Sequence, residues 1–295
     1  MKNIYLYLCT VLASTVLFVS CASLVRKPDE AVETTAPTTT PIVTSLETTT
    51  VITTHPWSTQ TGLGIIETHS GHVITDVFNT EIKDGDKVLI KAKMMIPKVV
   101  FYDNESLEKT VNYNLSVIRY ELEHAVLAIC NRYTGSDPSL NISLPDVIVD
   151  YSLEYFTKEA MSLKFTIIET DNNGNVYKSY KCYNIGLTTG SLIETPTVFK
   201  DETLSEISTL IANALEKEGT YLFDNGKDLI MKNLATSWYI SYNKLNVCFG
   251  PGEIAPVANG VITLSLEKDK FASLLSKYGE MLFTVNYEVA GHEDN

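Results

Sequence analysis

The chain is short of positive charge. Lysine and arginine number 23 against 36 aspartates and glutamates, a formal net charge of −13. A nucleic-acid binder needs a basic face to neutralise phosphates, and docking on an anionic lipid surface needs the same, so the balance argues against both. Cysteine is scarce too, at five residues. Cys9 and Cys21 fall in the N-terminal segment, leaving Cys130, Cys182 and Cys248. Such an odd set cannot form a disulfide framework, and at most one pair forms. The spacings fit no zinc pattern, and the favoured reading is of small buried hydrophobes. Local catalytic signatures are missing as well: no nucleophile elbow, no zinc-protease helix motif and no phosphate-binding glycine loop. "GLTTGS" (186 to 191) lacks the lysine of a phosphate loop and reads as a hairpin turn. These absences lower the expectation of an enzyme without excluding one. There is no short-period repeat.

What is present begins at the N-terminus. Lys2 precedes the apolar run "IYLYLCTVLASTVLFV", Ile4 to Val19, and "SCAS" follows. Charge, apolar stretch and small residues in that order read as a secretory signal over 1–20, and the run is shorter than the ~20 residues of a spanning helix. Phe18-Val19-Ser20-Cys21 resembles a bacterial lipobox, with Cys21 the lipidated residue and Phe18 where leucine is usual. Two other readings stay open: cleavage after Ala22, and an uncleaved anchor, which Arg26 and Lys27 outside against Lys2 inside disfavour. The lipobox reading places the protein outside the cell, anchored by lipid on the outer face of the cytoplasmic membrane. Residues 21–62 are threonine-rich with scattered proline, lack the period of a core-facing element, and read as a disordered tether whose hydroxyls offer sites for glycans.

The exported domain spans 63–288, with an N-terminal half over about 85–185 and a C-terminal half over 186–288. "KVLIKAKMMI" (87 to 96) alternates as a half-buried strand ended by Pro97. Leu107, Val111, Leu115, Ile118, Leu122, Val126 and Ile129 step by three and four as one helix, capped by Asp103 or Asn104 and stopped at Gly135 and Pro138. Strands follow at 146–156, 161–170 and 176–187, with Asn173-Gly174 as a hairpin pair. A second helix runs from Thr203 to Lys217, with capping-box spacing between Thr203 and Glu206 and a stop at Gly219. "TSWYISYNKLNVCFG" reads as a hairpin turning near Tyr242-Asn243-Lys244, "VITLSLE" as a strand, and Phe271 to Tyr278 as a short helix. Clustered strands with interspersed helices predict an α+β fold, antiparallel sheet(s) with two main packed helices.

Candidate chemistry is sparse. His69 and His72 have metal-like spacing but no third ligand, and His124 beside Glu121 and Glu123 reads as a solvated helix face. Asp150 and Glu154 read as the wet side of a strand rather than an acid/base pair. No metal or cofactor is expected. Of the 16 tyrosines only Tyr5 and Tyr7 lie in the signal segment; the rest favour sheet packing, with sugar or protein contact as the functional alternative.

"FGPGEIAPVANG" (249 to 260) is the distinctive stretch. Phe249, Pro251, Glu253, Ile254, Ala255, Pro256, Ala258 and Gly260 resemble the segment Phe-x-Pro-Tyr-Glu-Ile-Ala-Pro-Tyr-Ala-x-Gly in the extracellular domain of RsiV-type anti-sigma factors. Gly252 and Val257 replace two family tyrosines. The element order is similar from about residue 85 to 285: "IPKV" before the long helix, "LTTGS" after a hairpin, "VF" before the second helix. The resemblance implies an exported module related to the one beside the PdaC deacetylase domain, not itself a known catalyst. In the anti-sigma factors that module recognises lysozyme and triggers sigma-factor release. This chain shows neither a deacetylase domain nor a cytoplasmic sigma-binding segment, so the signalling role is not expected. The family's histidine-bearing middle hairpin reads "ETDNNGNVY" here, which implies a different or weaker ligand.

The expectation is a surface-anchored lipoprotein with a non-catalytic domain that binds a wall glycan or a wall-acting protein such as lysozyme, and no nucleic acid. The rivals are a wall-polymer enzyme with a carboxylate site around Glu253, and a structural accessory of an envelope complex. Glu253, Phe249 and Tyr242 are the candidate ligand contacts. In "FGPGEIAPVANG" the prolines limit freedom, the glycines permit turns, and Ile254, Ala255 and Val257 can pack inward, which favours a structural clasp.

Overall fold

The computed structural model describes residues 42–50, 66–68, 71–84, 87–134, 145–241 and 243–284. Its larger sheet has seven strands: β1 (Ile42–Thr50), β2 (Ile66–Thr68), β3 (Gly71–Asp84), β4 (Lys87–Phe101), β5 (Asp146–Phe156), β6 (Ala160–Thr170) and β7 (Val176–Gly186). The order is β1-β3-β4-β5-β6-β7, with β2 also on β3. Within the stretch expected to be an unordered tether, β1 lies antiparallel to β3. Its isoleucine, valine and threonines are β-branched and suit extended backbone.

Every pairing in this sheet is antiparallel except β4–β5, which is parallel over Lys91–Met94 and Asp146–Val149. A parallel pair needs a long crossover, and helix α1 (Glu105–Thr134) supplies it. Asn104 caps α1: its Oδ1 accepts from Leu107 N–H (3.0 Å). The predicted stripe Val111, Leu115, Ile118, Leu122, Val126 and Ile129 is buried against Ile90, Met94, Val147, Val149, Leu163 and Phe165.

Pro97 does not end β4, which continues to Phe101. The reason lies in where the N–H groups point. Val99 donates to Asn112 Oδ1 on α1 (2.9 Å), while Asn112 Nδ2 donates to Val99 O (2.8 Å). Phe101 donates to Glu108 Oε2 (3.0 Å). Pro97, two residues before Val99, has its nitrogen on that same side, beyond the end of the β5 pairing, so its missing donor breaks no ladder bond.

The 171–175 turn also differs from expectation. Gly174 has φ +80°, but Asn173 is not in the left-handed region, so this is no two-residue Asn-Gly turn. Asp171 organises it, its Oδ1 accepting from Asn173 N–H (2.8 Å) and Asn175 N–H (2.9 Å).

The smaller sheet is antiparallel, in the order β10-β9-β8: β8 (Trp238–Ser241), β9 (Lys244–Phe249) and β10 (Ile262–Glu267). It packs with α2 (Thr195–Val198), α3 (Leu204–Lys217), α4 (Gly226–Asn233), α5 (Lys268–Phe271) and α6 (Lys277–Leu282) around Phe199, Ile207, Ile211, Leu215, Trp238, Phe249 and Phe271. The single short helix expected over 271–278 is thus split between α5, a 3₁₀ turn (Ala272–Leu274) and α6. The Thr203–Glu206 capping box does not form. Thr203 ends a 3₁₀ turn, and its hydroxyl donates to Lys200 O (2.8 Å) and lies 3.1 Å from Leu274 O.

Two devices join the sheets. A bulge at Leu153/Tyr155 turns Tyr155 out of the first core into the second. Ser162 Oγ donates to Asn184 Oδ1 (2.6 Å), Asn184 Nδ2 to Trp238 O (3.0 Å), and Ile240 N–H to Ser162 Oγ (3.2 Å). Among the described residues no helix is long and apolar enough to cross a membrane.

Candidate functional site

The "FGPGEIAPVANG" loop closes on itself. Glu253 Oε2 accepts from Gly250 N–H (2.9 Å), and Glu253 N–H donates to Gly250 O (3.2 Å). Gly252 takes φ +82° to let the chain turn between them. Ile254 and Ala255 are buried, and Ile254 O accepts from Phe223 N–H (3.1 Å), while Asn259 Nδ2 donates to Tyr221 O (3.3 Å). The loop therefore clasps the 221–223 segment. Phe249 is wholly buried and leaves no surface for a ligand, and Val257, expected to pack inward, is 69 % exposed. Tyr242 and Cys21 lie outside the described residues.

The other candidates are spread apart. His69 lies outside the described residues, while His72 makes a tilted contact with Tyr102 (5.9 Å). His124 meets Tyr120 edge-on (4.4 Å). Asp150 Oδ1 accepts from Tyr151 N–H (2.8 Å), whereas Glu154 pairs with Lys164 Nζ (2.7 Å) and accepts from Ser152 Oγ (2.6 Å), so the two carboxylates serve different partners. No group of three or more His, Cys, Asp or Glu that could hold a metal occurs among the described residues. Cys130, Cys182 and Cys248 are all buried, and Cys182 and Cys248 are free thiols. Burial pushes the Cys182 thiol well up and that of Cys248 to about 11, which keeps both protonated and unreactive.

The structure instead brings together residues that no local motif connects. A cleft of about 340 Å³ opens between α1, the end of β7, the 192–196 segment, the start of α3 and the turn after α4. Its walls are mainly apolar: Leu192, Ile193, Pro196, Leu204, Met231 and Leu234. Two exposed carboxylates, Glu121 and Glu194, line it. Tyr183 donates its hydroxyl to Glu121 Oε2 (2.8 Å) and holds that carboxylate in place. Burial, then the neighbouring Glu121 charge, raises the Tyr183 hydroxyl far above its usual range, so it stays a donor.

The wall behind is rigid. Trp238 Nε1 donates to Thr195 Oγ1 (3.1 Å), and Thr195 Oγ1 donates to Leu234 O (3.4 Å). Gly190, at φ +77°, brings the preceding turn against α1, where a side chain would strike Thr110 at 2.7 Å. Asn114 Nδ2 locks that turn by donating to Gly190 O (2.6 Å). Among the described residues neither Glu121 nor Glu194 is in an ion pair. Lys181 reaches the lip, where its Nζ donates to Thr236 Oγ1 (3.3 Å), and it forms an ion pair with neither carboxylate.

Part of the second core, one wall of this cleft, is what sequence comparison detects. Residues 196–269 match the DUF3298 family, described as a protein of unknown function. The matched region starts within α2, ends within α5 and includes the clasp loop, Met231 and Leu234, while Glu121, Tyr183 and Glu194 all precede it. A DUF3298 family member from Bacteroides fragilis superposes with a TM-score of 0.50 at 10 % identity, covering 72 % of this chain and 97 % of that one. At that identity the likeness is one of fold alone. A DUF3298 family protein from Pseudomonas aeruginosa aligns with a TM-score of 0.41 at 8 % identity, over 69 % of this chain and 94 % of that one. No curated protein matches the chain.

Proposed function

We propose that this is an exported, lipid-anchored binding module whose DUF3298-containing domain takes a basic, wall-acting protein such as a lysozyme at the Glu121–Glu194 cleft. One observation carries the reading: carboxylates without cationic partners face an apolar cleft, in a domain of strongly acidic overall charge. An acidic surface steers a basic partner and holds it more weakly as salt rises. Among the described residues that line the cleft there is no serine, cysteine, histidine or lysine, and the raised Tyr183 hydroxyl is committed to Glu121 as a donor, which favours binding over catalysis. Anchoring rests on the lipobox-like Phe18 to Cys21.

Calorimetric titration with a basic lysozyme at low salt should show saturable binding that weakens toward ~0.15 M salt. Flat titrations at both ionic strengths remove that partner. Labelling of growing cells with radioactive palmitate should mark the wild-type protein and not Cys21→Ser; equal labelling of the two overturns the anchor.

A further inference from the structure

The cleft is small, acidic at its mouth and aliphatic inside. We infer that it is a socket for one long cationic side chain, lysine or arginine, presented by a protein partner; this rests on the binding-module reading above. Size comes first. At about 340 Å³ the cleft is near the lower end of the range for ligand sites, ~300–1,000 Å³, so it suits one side chain rather than an extended oligomer. Lysine and arginine carry a polar head on an apolar stem and bury the stem when a surface allows it. Here Leu192, Leu204, Leu234 and Met231 receive the stem, and Met231, 47 % exposed, provides an adaptable lip. Glu121 and Glu194 receive the head, and the Tyr183 hydroxyl fixes Glu121 in position.

The lining disfavours a sugar. The ring suited to stacking on a pyranose is an aromatic face open to the site. Among the described residues lining the cleft the one aromatic side chain is Tyr183, which is buried, packed edge-on to Phe165 (5.9 Å), and already committed through its hydroxyl. Exposed aromatics lie outside the cleft instead. Tyr113 and Tyr120 are 68 % and 60 % exposed and seven residues apart, hence on one face of α1. Tyr120 directly precedes Glu121, on the adjoining face of the helix. Exposed tyrosines are typical anchors of protein interfaces, and Tyr120 lies ~100° around the helix from Glu121. A partner whose cation fills the cleft thus lies across Tyr120, whereas a free amino acid does not.

The test titrates the full chain with three blocked amino acids and follows backbone amide shifts. Nα-acetyl-arginine amide and Nα-acetyl-lysine amide should move Leu192, Glu194 and Met231. The uncharged Nα-acetyl-citrulline amide should not, and Glu121→Gln/Glu194→Gln should abolish the response. The glutamine at 121 still accepts from Tyr183, and an unchanged melting temperature verifies that this variant folds. Equal shifts with citrulline, arginine shifts centred elsewhere or absent, or cleft shifts with N-acetylglucosamine oligomers instead each overturn the socket. With whole lysozyme, the double variant should bind about tenfold more weakly or worse. Tyr120→Ala should weaken lysozyme but leave blocked arginine unaffected. Undiminished lysozyme binding by the double variant overturns the socket and the cleft as the lysozyme site, and leaves standing a module that binds lysozyme elsewhere. Arginine uptake without lysozyme capture removes lysozyme as the partner and keeps the socket.

Discussion

Glu253 is a carboxylate with its oxygens turned onto its own loop. The Gly250 N–H supplies the donor that a half-buried carboxylate requires, and Glu253 is not among the residues lining the Glu121–Glu194 cleft. Glu253→Ala leaves that N–H without its partner and should cost about 1–2 kcal/mol, a fall of about 2–8 °C in melting temperature for a domain of this size. Glu253→Gln keeps an acceptor and should cost less. Lysozyme titration of either variant should match wild type. If purified wild-type protein turns over wall polymer and Glu253→Gln abolishes that at unchanged melting temperature, Glu253 is a catalytic group and the clasp assignment fails.

At the scale of elements, the junction of β4 with α1 depends on one side chain acting as a short strand. Asn112 both donates to and accepts from Val99, at the edge where β5 no longer reaches. Asn112→Ala removes both bonds and should lower unfolding free energy by about 1–3 kcal/mol in urea denaturation. Asn112→Asp keeps the bond from Val99 N–H but sets carboxylate oxygen against Val99 O, so it should also destabilise, although the two residues are nearly isosteric. Stabilities within error of wild type for both would show that the edge needs no such seal. This contact shows why part of the fold was legible in the sequence and part was not. The α1 stripe and the β10 alternation are local periodicities, and both elements form where the period predicts. The parallel β4–β5 pair, the passage of β4 through Pro97 and the hydroxyl of Thr203 turned toward Leu274 depend on partners far along the chain. The cleft was illegible for the same reason. Glu121 reads as solvated helix surface until Tyr183, 62 residues away, is placed beside it. The available signals were a glutamate bordering the buried stripe of α1 and the spacing of Leu229 and Ile230 in α4 with Leu234 in the turn just after it.

For the whole molecule, buried and half-buried tyrosines bind the stability to pH. Burial first, then the hydrogen bond to Glu169, pushes Tyr133 up to about 12 from 10.0. Burial likewise raises Tyr239 to about 12, and it holds Tyr151 and Tyr183 higher still. Tyr151 and Tyr183 belong to the first core and Tyr133 packs on it, Tyr239 lies on β8 beneath Lys164 Nζ, and burial also raises Tyr155 in the second core, so both cores share the effect. A raised folded-state value means that both states are protonated below pH ~10, and the stabilisation is complete there. Between ~10 and ~12 the unfolded chain releases its phenolic protons while the folded chain retains them, so stability falls as pH rises. The melting temperature should change little between pH 7 and 9 and drop steeply above ~10, with tyrosinate absorbance lagging at 25 °C until the chain unfolds. Tyr133→Phe should make the drop shallower, because phenylalanine has no proton to release, while losing the bond to Glu169 at neutral pH. Folded protein whose tyrosines all ionise near pH 10 without loss of stability would show that these phenols are not held by burial, and would also undermine the fixed Tyr183 donor on which the geometry of the cleft depends.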